Sequence, residues 1–262
     1  MLPASFWERF PLMSESLSIS PFKRLLARAR CGFYSDRPWL LRPDDERFAE
    51  LFSGGAAEER SAHDIFTFGL DRAVRRVESG LVATYVLFGG GIGRMTGLFP
   101  AGTLLGAPKA VIHSGEPMPL VARAIGPVVM RRISADAFQA ALAEMPDLRT
   151  AYMEKLLSNH ESQIDGLLVN DLAPLKIRTG LLLLALFEAA GAPLAPGWSR
   201  VPYPVTAQEL SEMAHATRSA VSRELSALAK AGLLQRKGRS LYVADALPDA
   251  LAQAALKAQG GA

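Results

Sequence analysis

The sequence predicts an α+β protein with an N-terminal β-roll, a long dimerisation helix and a C-terminal winged helix-turn-helix. Three observations predict it. Short apolar runs broken by glycine and proline extend from His63 to about Ser134. A long helical pattern follows Pro146. Thr206–Val243 then alternates caps, a turn and a glycine-tipped hairpin. At 262 residues the chain suits about two domains with sizeable cores.

The last segment is the most specific. Thr206 and Glu209 have the T-x-x-E spacing of a capping box, so a helix begins there, with Leu210, Met213 and Ala214 on one face. The chain turns through His215-Ala216-Thr217, and Thr217 caps a second helix. That helix carries Val221, Leu225, Leu228 and Ala229 at helical spacing and stops at Gly232. Ribbons Leu233–Arg236 and Ser240–Val243 flank a turn at Lys237-Gly238-Arg239. Two helices joined this way send the second one's N-terminal side chains into a major groove.

Charge agrees with that reading. Arg218, Arg223, Lys230, Arg236, Lys237 and Arg239 face Glu209, Glu212 and Glu224, an excess of three that matches the whole chain's formal +3. The cations lie at the second helix and the wing, where phosphates would be met. So small a net charge argues against a polybasic binder, and any DNA contact is expected to be local.

Upstream, the candidate strands are Ile65–Phe68, Arg75–Glu78, Leu81–Phe88, Arg94–Phe99, Leu120–Ala124 and Val128–Ile133, with turns at Gly69, Gly80, Gly89–Gly93, Pro100–Gly102 and Gly126-Pro127. Strands so short and so close suit a small barrel or roll. Gly89-Gly90-Gly91-Ile92-Gly93 reads as a hairpin tip, because it lacks the third glycine of a dinucleotide loop and the lysine of a phosphate loop. Ser20-Pro21 opens an amphipathic helix with Phe22, Leu25, Leu26 and Ala29 on one side, expected to pack on the protein rather than on a membrane surface. Ser53–Ala57 reads as a loop.

A helix starts near Ala135, and a longer one runs from Pro146 to about Asn170. In the longer one Met153, Leu157, His160, Ile164 and Leu167 repeat at alternating spacings of four and three, the seam of a coiled coil. If Leu157 and Ile164 meet their symmetry mates, the protein is a two-fold dimer suited to palindromic DNA. His160 is expected to be a packed or hydrogen-bonded histidine rather than a ligand. Leu172-Ala173-Pro174-Leu175 reads as a hinge, since Pro174 cannot continue a helix interior. Another helix, Lys176–Ala190, leads through a Pro/Gly-rich connection at 191–204.

This order of parts resembles the Crp/Fnr family of bacterial transcription regulators, from about His63 to Val243. ATRSAVSRELSALAKAGLLQRKGR carries the resemblance most strongly; IFTFGLDRAVRRVESG and FPAGTLLG resemble the glycine-marked turns of a cyclic-nucleotide-binding roll. It implies an N-terminal extension over residues 1–60, an effector-sensing roll over 61–145, a central dimerisation helix over 146–172 and a DNA-binding domain over 173–262. It also implies a homodimer on a palindromic operator, a small-molecule effector and, for an activator, contact with RNA polymerase.

Carried over by position, Arg218, Ser219, Ser222 and Arg223 occupy base- and phosphate-reading positions. Thr206 and Gln208 fall where the family contacts backbone phosphates, and Thr217, Arg236, Lys237 and Arg239 complete the expected DNA surface. Ser219 replaces a glutamate that accepts from a cytosine amino group, so the half-site is expected to differ there. His215 replaces the turn glycine, and histidine tolerates positive φ better than most residues.

The implied effector pocket comprises Gly106, Ala107, Met118, Leu120, Tyr152 and His160. The family's Gly-Glu and Arg-Ser/Thr pairs align with Gly106-Ala107 and Met118-Pro119, which removes the arginine that would clasp a cyclic phosphate. A small apolar or aromatic effector is expected instead, with an effector-free regulator left open.

No cofactor is expected. The single cysteine, Cys31, cannot hold an iron–sulfur cluster, and His63, His113, His160 and His215 show no haem-ligand spacing. Neither a secretory segment nor a span of about 20 apolar residues is present, so a cytoplasmic protein is expected. No catalytic motif is found. The alternatives are a signalling module that contacts protein through its winged helix, and a cyclic-nucleotide or haem sensor of the same fold.

Overall fold

A computed structural model of the protein describes residues 35, 37–88, 91–108 and 120–260. Cys31, His113, Met118, Pro119 and the amphipathic stretch after Ser20 lie outside the described residues. So do Gly89 and Gly90, at the tip of the expected hairpin.

The roll opens with helix α1 (Arg47–Ser53) and strand β1 (Ala56–Arg60), followed by β2 (Ile65–Phe68), β3 (Ala73–Ser79), β4 (Leu81–Phe88), β5 (Gly91–Pro100), β6 (Leu104–Leu105), β7 (Leu120–Ala124) and β8 (Val128–Ser134). They form two antiparallel sheets, ordered β1-β8-β3-β6 and β2-β7-β4-β5. Helix α2 (Ala135–Glu144) is capped by Ser134, whose hydroxyl accepts from the Ala137 amide. The central helix α3 (Pro146–Leu172) starts with proline at its first position and stops before Pro174. Helix α4 (Leu175–Ala189), β9 (Trp198–Arg200), α5 (Ala207–Met213), α6 (Arg218–Lys230), β10 (Leu234–Lys237), β11 (Ser240–Ala244) and α7 (Leu247–Gly260) complete the chain.

The six expected strands are all present, three of them with the expected bounds. The boundary at residue 60 is corrected: β1 pairs with β8 from Ala56↔Arg132 to Arg60↔Val128, so the roll begins before residue 61. Ala56 and Ala57, read as loop, open that strand. Its sequence, AAEER, carries no apolar alternation. It is held instead by Glu58, whose carboxylate accepts from Arg75 Nε at 3.0 Å and lies 3.4 Å from Arg132. Strand β9 lies within the segment read as a connection and completes the wing sheet, β10-β11-β9. Gly91–Gly93, read as part of a turn, belong to β5.

Residues 37–44 form a strap between the roll and α3. Leu40 makes a parallel bridge to Leu98 on β5, and the Trp39 amide donates to Ser162 O at 2.8 Å. Trp39 is fully buried with φ +64°, a conformation that needs surrounding structure to hold it. The indole is seated on Gly166, where a Cβ would stand 2.2 Å from the ring. Asp44 ends the strap, accepting from the Leu104 amide at 3.0 Å, and burial pushes its carboxyl up to about 7.

One core is continuous from the roll into the C-terminal domain. Trp39, Leu81, Ala83, Tyr85, Met95 and Leu98 join Val169, Leu181–Phe187, Leu210 and Met213. The apolar run Leu181–Phe187 of α4 is therefore buried nearly all round. A second cluster is aromatic, with Phe48, Phe138 and Tyr152 at ring distances of 5.6–6.1 Å.

The strap seat is directly testable. Glycine to alanine normally favours a helix by about 1 kcal/mol. Gly166→Ala is expected to destabilise instead, by about 1–3 kcal/mol through overpacking against Trp39, measured as a lowered denaturant midpoint. A raised midpoint would mean that the indole does not sit there.

Candidate nucleic-acid interface

The winged helix is built by the local signals its sequence carries. Thr206 Oγ1 accepts from the Glu209 amide at 3.1 Å, and Glu209 Oε2 accepts from the Thr206 amide at 2.8 Å, closing the capping box. Thr217 Oγ1 accepts from the Ala220 amide at 3.3 Å and so starts α6. His215 has φ +50°, so histidine occupies the left-handed turn position. Gly232 at φ +72° and Gly238 at φ +58° end α6 and turn the wing.

Helix α6 buries Val221, Leu225 and Leu228 and turns its other face outward. Arg218, Ser219, Ser222 and Arg223 are exposed on it, and Arg236, Lys237 and Arg239 are exposed on the wing. Thr206, Gln208 and Thr217 are exposed beside them. The structure thus brings all ten expected contact residues onto one module. Ser222, Arg223, Ser226 and Lys230 line an open hollow of about 420 Å³ along α6. Lys237 Nζ stands 5.1 Å from the Tyr242 ring centroid, which steadies the wing cation. None of Arg218, Arg223, Arg236, Lys237 and Arg239 makes an ion pair to a described residue.

A second set of residues fixes the module to the roll. His63 Nδ1 lies 2.7 Å from Glu209 Oε1, and Arg123 Nη2 donates to Glu212 Oε2 at 2.8 Å. Arg178 Nη1 donates to Asn170 O and Ala214 O at 2.7 and 2.8 Å, and Asn170 Nδ2 donates to Met213 O at 3.1 Å. Helix α5 thereby has its last carbonyls satisfied by hinge residues. Burial raises the Tyr85 hydroxyl above the ordinary phenol range at this junction, with the Glu212 carboxylate adding to it. Sequence spacing missed these contacts, since 146 residues separate His63 from Glu209.

The residues expected to line an effector pocket lie in different surroundings, and Met118 falls outside the described residues. Ala107 and Tyr152 share the aromatic cluster with Phe48, Phe52 and Phe138. Gly106 at φ +81° turns the chain against Ala73 O, and Leu120 packs in a different cluster. His160 is exposed, about a quarter-turn round α3 from Tyr152.

Residues 178–253 match the model of the Crp-like helix-turn-helix domain. The chain carries a Crp-like helix-turn-helix domain on a Crp/Fnr-type fold. Similar solved structures include the c-di-GMP-responsive global regulator CLP of Xanthomonas campestris, with 18% identity, a TM-score of 0.63, and coverage of 76% of this chain and 99% of that one. FixK2 of Bradyrhizobium japonicum gives 20% identity, a TM-score of 0.61, and coverage of 76% and 96%. A CooA mutant from Carboxydothermus hydrogenoformans gives 15% identity, a TM-score of 0.61, and coverage of 82% and 96%. No curated protein matches the chain. The Crp-like domain spans α4 to α7, so its core includes the apolar run of α4 that packs under α5. Among the described residues no group of histidine, cysteine and carboxylate side chains has the geometry to hold a metal, and no helix is long and apolar enough to cross a membrane.

The expected contacts divide between base reading and phosphate holding. Arg223→Ala is expected to lower affinity and relax base preference, by about 1–3 kcal/mol at one position. Lys237→Ala is expected to weaken all sequences alike and reduce the salt slope by about one per subunit. Binding isotherms on matched and mismatched DNA over a salt series check both; equal loss of specificity in the two variants contradicts the division.

Proposed function

We propose that the protein is a homodimeric, sequence-specific DNA-binding transcription regulator of the Crp/Fnr type. The observation that carries this reading is the exposed α6 face: arginines with no ion pair to a described residue, on a helix whose other face is buried, beside a basic wing. The reading involves no iron–sulfur cluster or haem, and an activator would also touch RNA polymerase.

Dimerisation through α3 is supported by the way its faces divide. Leu148, Tyr152, Ser162, Asp165, Gly166 and Val169 are buried toward the roll and strap. Leu157, by contrast, is 67% exposed and Met153 is 41% exposed, with His160 exposed and Ile164 and Leu167 only partly covered. That stripe coincides with the seam expected from the sequence, and its exposure supports a second copy packing there.

Ala107 lies fully buried among aromatic rings, and the Tyr152 hydroxyl beside them has no hydrogen-bond partner. This supports a small apolar or aromatic effector over a cyclic nucleotide, admitted by displacement of those rings. Cyclic AMP is expected to leave the melting temperature unchanged; a rise that grows with the logarithm of its concentration contradicts that choice.

Selection of bound sequences from random DNA tests the whole reading. A palindrome with half-sites about one helical turn apart is expected, without a full preference for the family's guanine opposite Ser219. Leu157→Glu is expected to yield a folded monomer by light scattering and to weaken binding to that palindrome about 100-fold or more, because two half-sites are no longer linked. Absence of salt-sensitive binding to any DNA would instead favour a module that contacts protein.

A further inference from the structure

The junction between roll and winged helix encloses a cavity of about 320 Å³ whose lining comes from both. The winged helix supplies Thr206, Arg218, Arg236 and Arg239; the roll supplies His63. No described carboxylate pairs with any of the three arginines, and Glu209, beside the cavity residues Thr206 and His63, is already occupied. Its two oxygens accept from Thr206 and from His63. Such a hollow suits a doubly hydrogen-bonding anion, because guanidinium groups match phosphate oxygens and nothing nearby neutralises them.

The roles of the imidazole's nitrogens follow from its partner. A carboxylate only accepts, so His63 Nδ1 carries a proton and donates to Glu209 Oε1. In the neutral ring Nε2 is then an acceptor, which repels a phosphate oxygen. In the imidazolium Nε2 becomes a second donor. Glu209 from α5 contacts this ring, Arg218 from α6 and Arg236 and Arg239 from the wing line the same cavity, and Asp64 neighbours it in the chain. A phosphate held among the three arginines accepts from that second donor.

We propose that this cavity is a phosphate site shared by roll and winged helix, and that it takes a backbone phosphate of the bound DNA with His63 as the roll's own contact. This rests on the DNA-binding reading and extends it: the roll joins the DNA interface, and binding takes up a proton at His63. The cavity opens beside Arg218, the first residue of the DNA-reading helix, which favours a DNA phosphate over a free one.

The test compares the wild-type dimer with His63→Asn on the selected operator between about pH 5 and 8, the span in which imidazoles change charge. Asparagine is chosen because His63 has φ +74°, a conformation asparagine tolerates. Wild-type affinity is expected to fall as pH rises. His63→Asn is expected to bind about tenfold more weakly at the acid end, to approach wild type at the alkaline end, and to keep the wild-type circular dichroism while melting at a lower temperature, because Glu209 Oε1 loses its imidazole donor. The His63 imidazole resonances are expected to shift on adding operator and not on adding the same concentration of inorganic phosphate. Identical pH profiles for the two proteins overturn the proposal while leaving DNA binding intact. A His63 shift with inorganic phosphate that operator DNA fails to displace assigns the cavity to a free phosphate and overturns it too. Failure of the wild type to bind DNA at any pH overturns the functional reading itself.

Discussion

Glu209 accepts from the backbone and hydroxyl of Thr206 with one oxygen and from His63 with the other, and this sharing ties the angle of the DNA-reading module to the roll. A carboxylate 1% exposed is costly to bury unless its lone pairs are filled. Here the capping box fills one side whatever the rest of the chain does. The second oxygen is satisfied only when the roll lies against α5. Arg123–Glu212 and Arg178 on the α5 carbonyls repeat the same logic at the other points of contact. Beneath them the apolar core passes from β4 and β5 into α4 and α5 without a break. The recognition helix is therefore aimed by the roll as well as by its own turn.

This arrangement gives a physical route for regulation. The strap, the aromatic cluster and the hinge all rest on α3: Trp39 on Gly166, Tyr152 among Phe48 and Phe138, and Asn170 on α5. A change in how α3 meets the roll cannot stay local, because the packed core has no slack to absorb it. It reaches Asn170 and Arg178, and through them the end of α5. Regulation by shifting between two such arrangements needs only a ligand, or a partner copy, that favours one of them.

The local features were legible in the sequence because each depends on neighbours a few residues away. The capping box at Thr206, the cap at Thr217, the glycine at 232 and the wing turn at Gly238 all stand where their spacing placed them. The strands of the roll followed from apolar runs and glycines in the same way. What was illegible depends on distant residues. Strand β1 was missed because its stability comes from Glu58 meeting Arg75 and Arg132, not from an apolar face. The strap carries no periodicity at all. The six residues expected to form a pocket were projected from a resemblance; of these Ala107 and Tyr152 pack in one cluster with Phe48 and Phe138, contributed by α1 and α2, a neighbourhood that no spacing announces. The junction residues His63, Arg123 and Glu212 have no motif, so only their meeting in space identifies them.

The central claim is that roll and winged helix share one core and stand or fall together. Native-state hydrogen exchange reads this directly, amide by amide. The account predicts that the α5 amides of Leu210 and Met213 exchange with the same opening free energy as Ala83 and Tyr85 on β4. Exchange of the α5 amides at a clearly lower free energy, with β4 still protected, would show a winged helix that opens independently of the roll and would contradict the account.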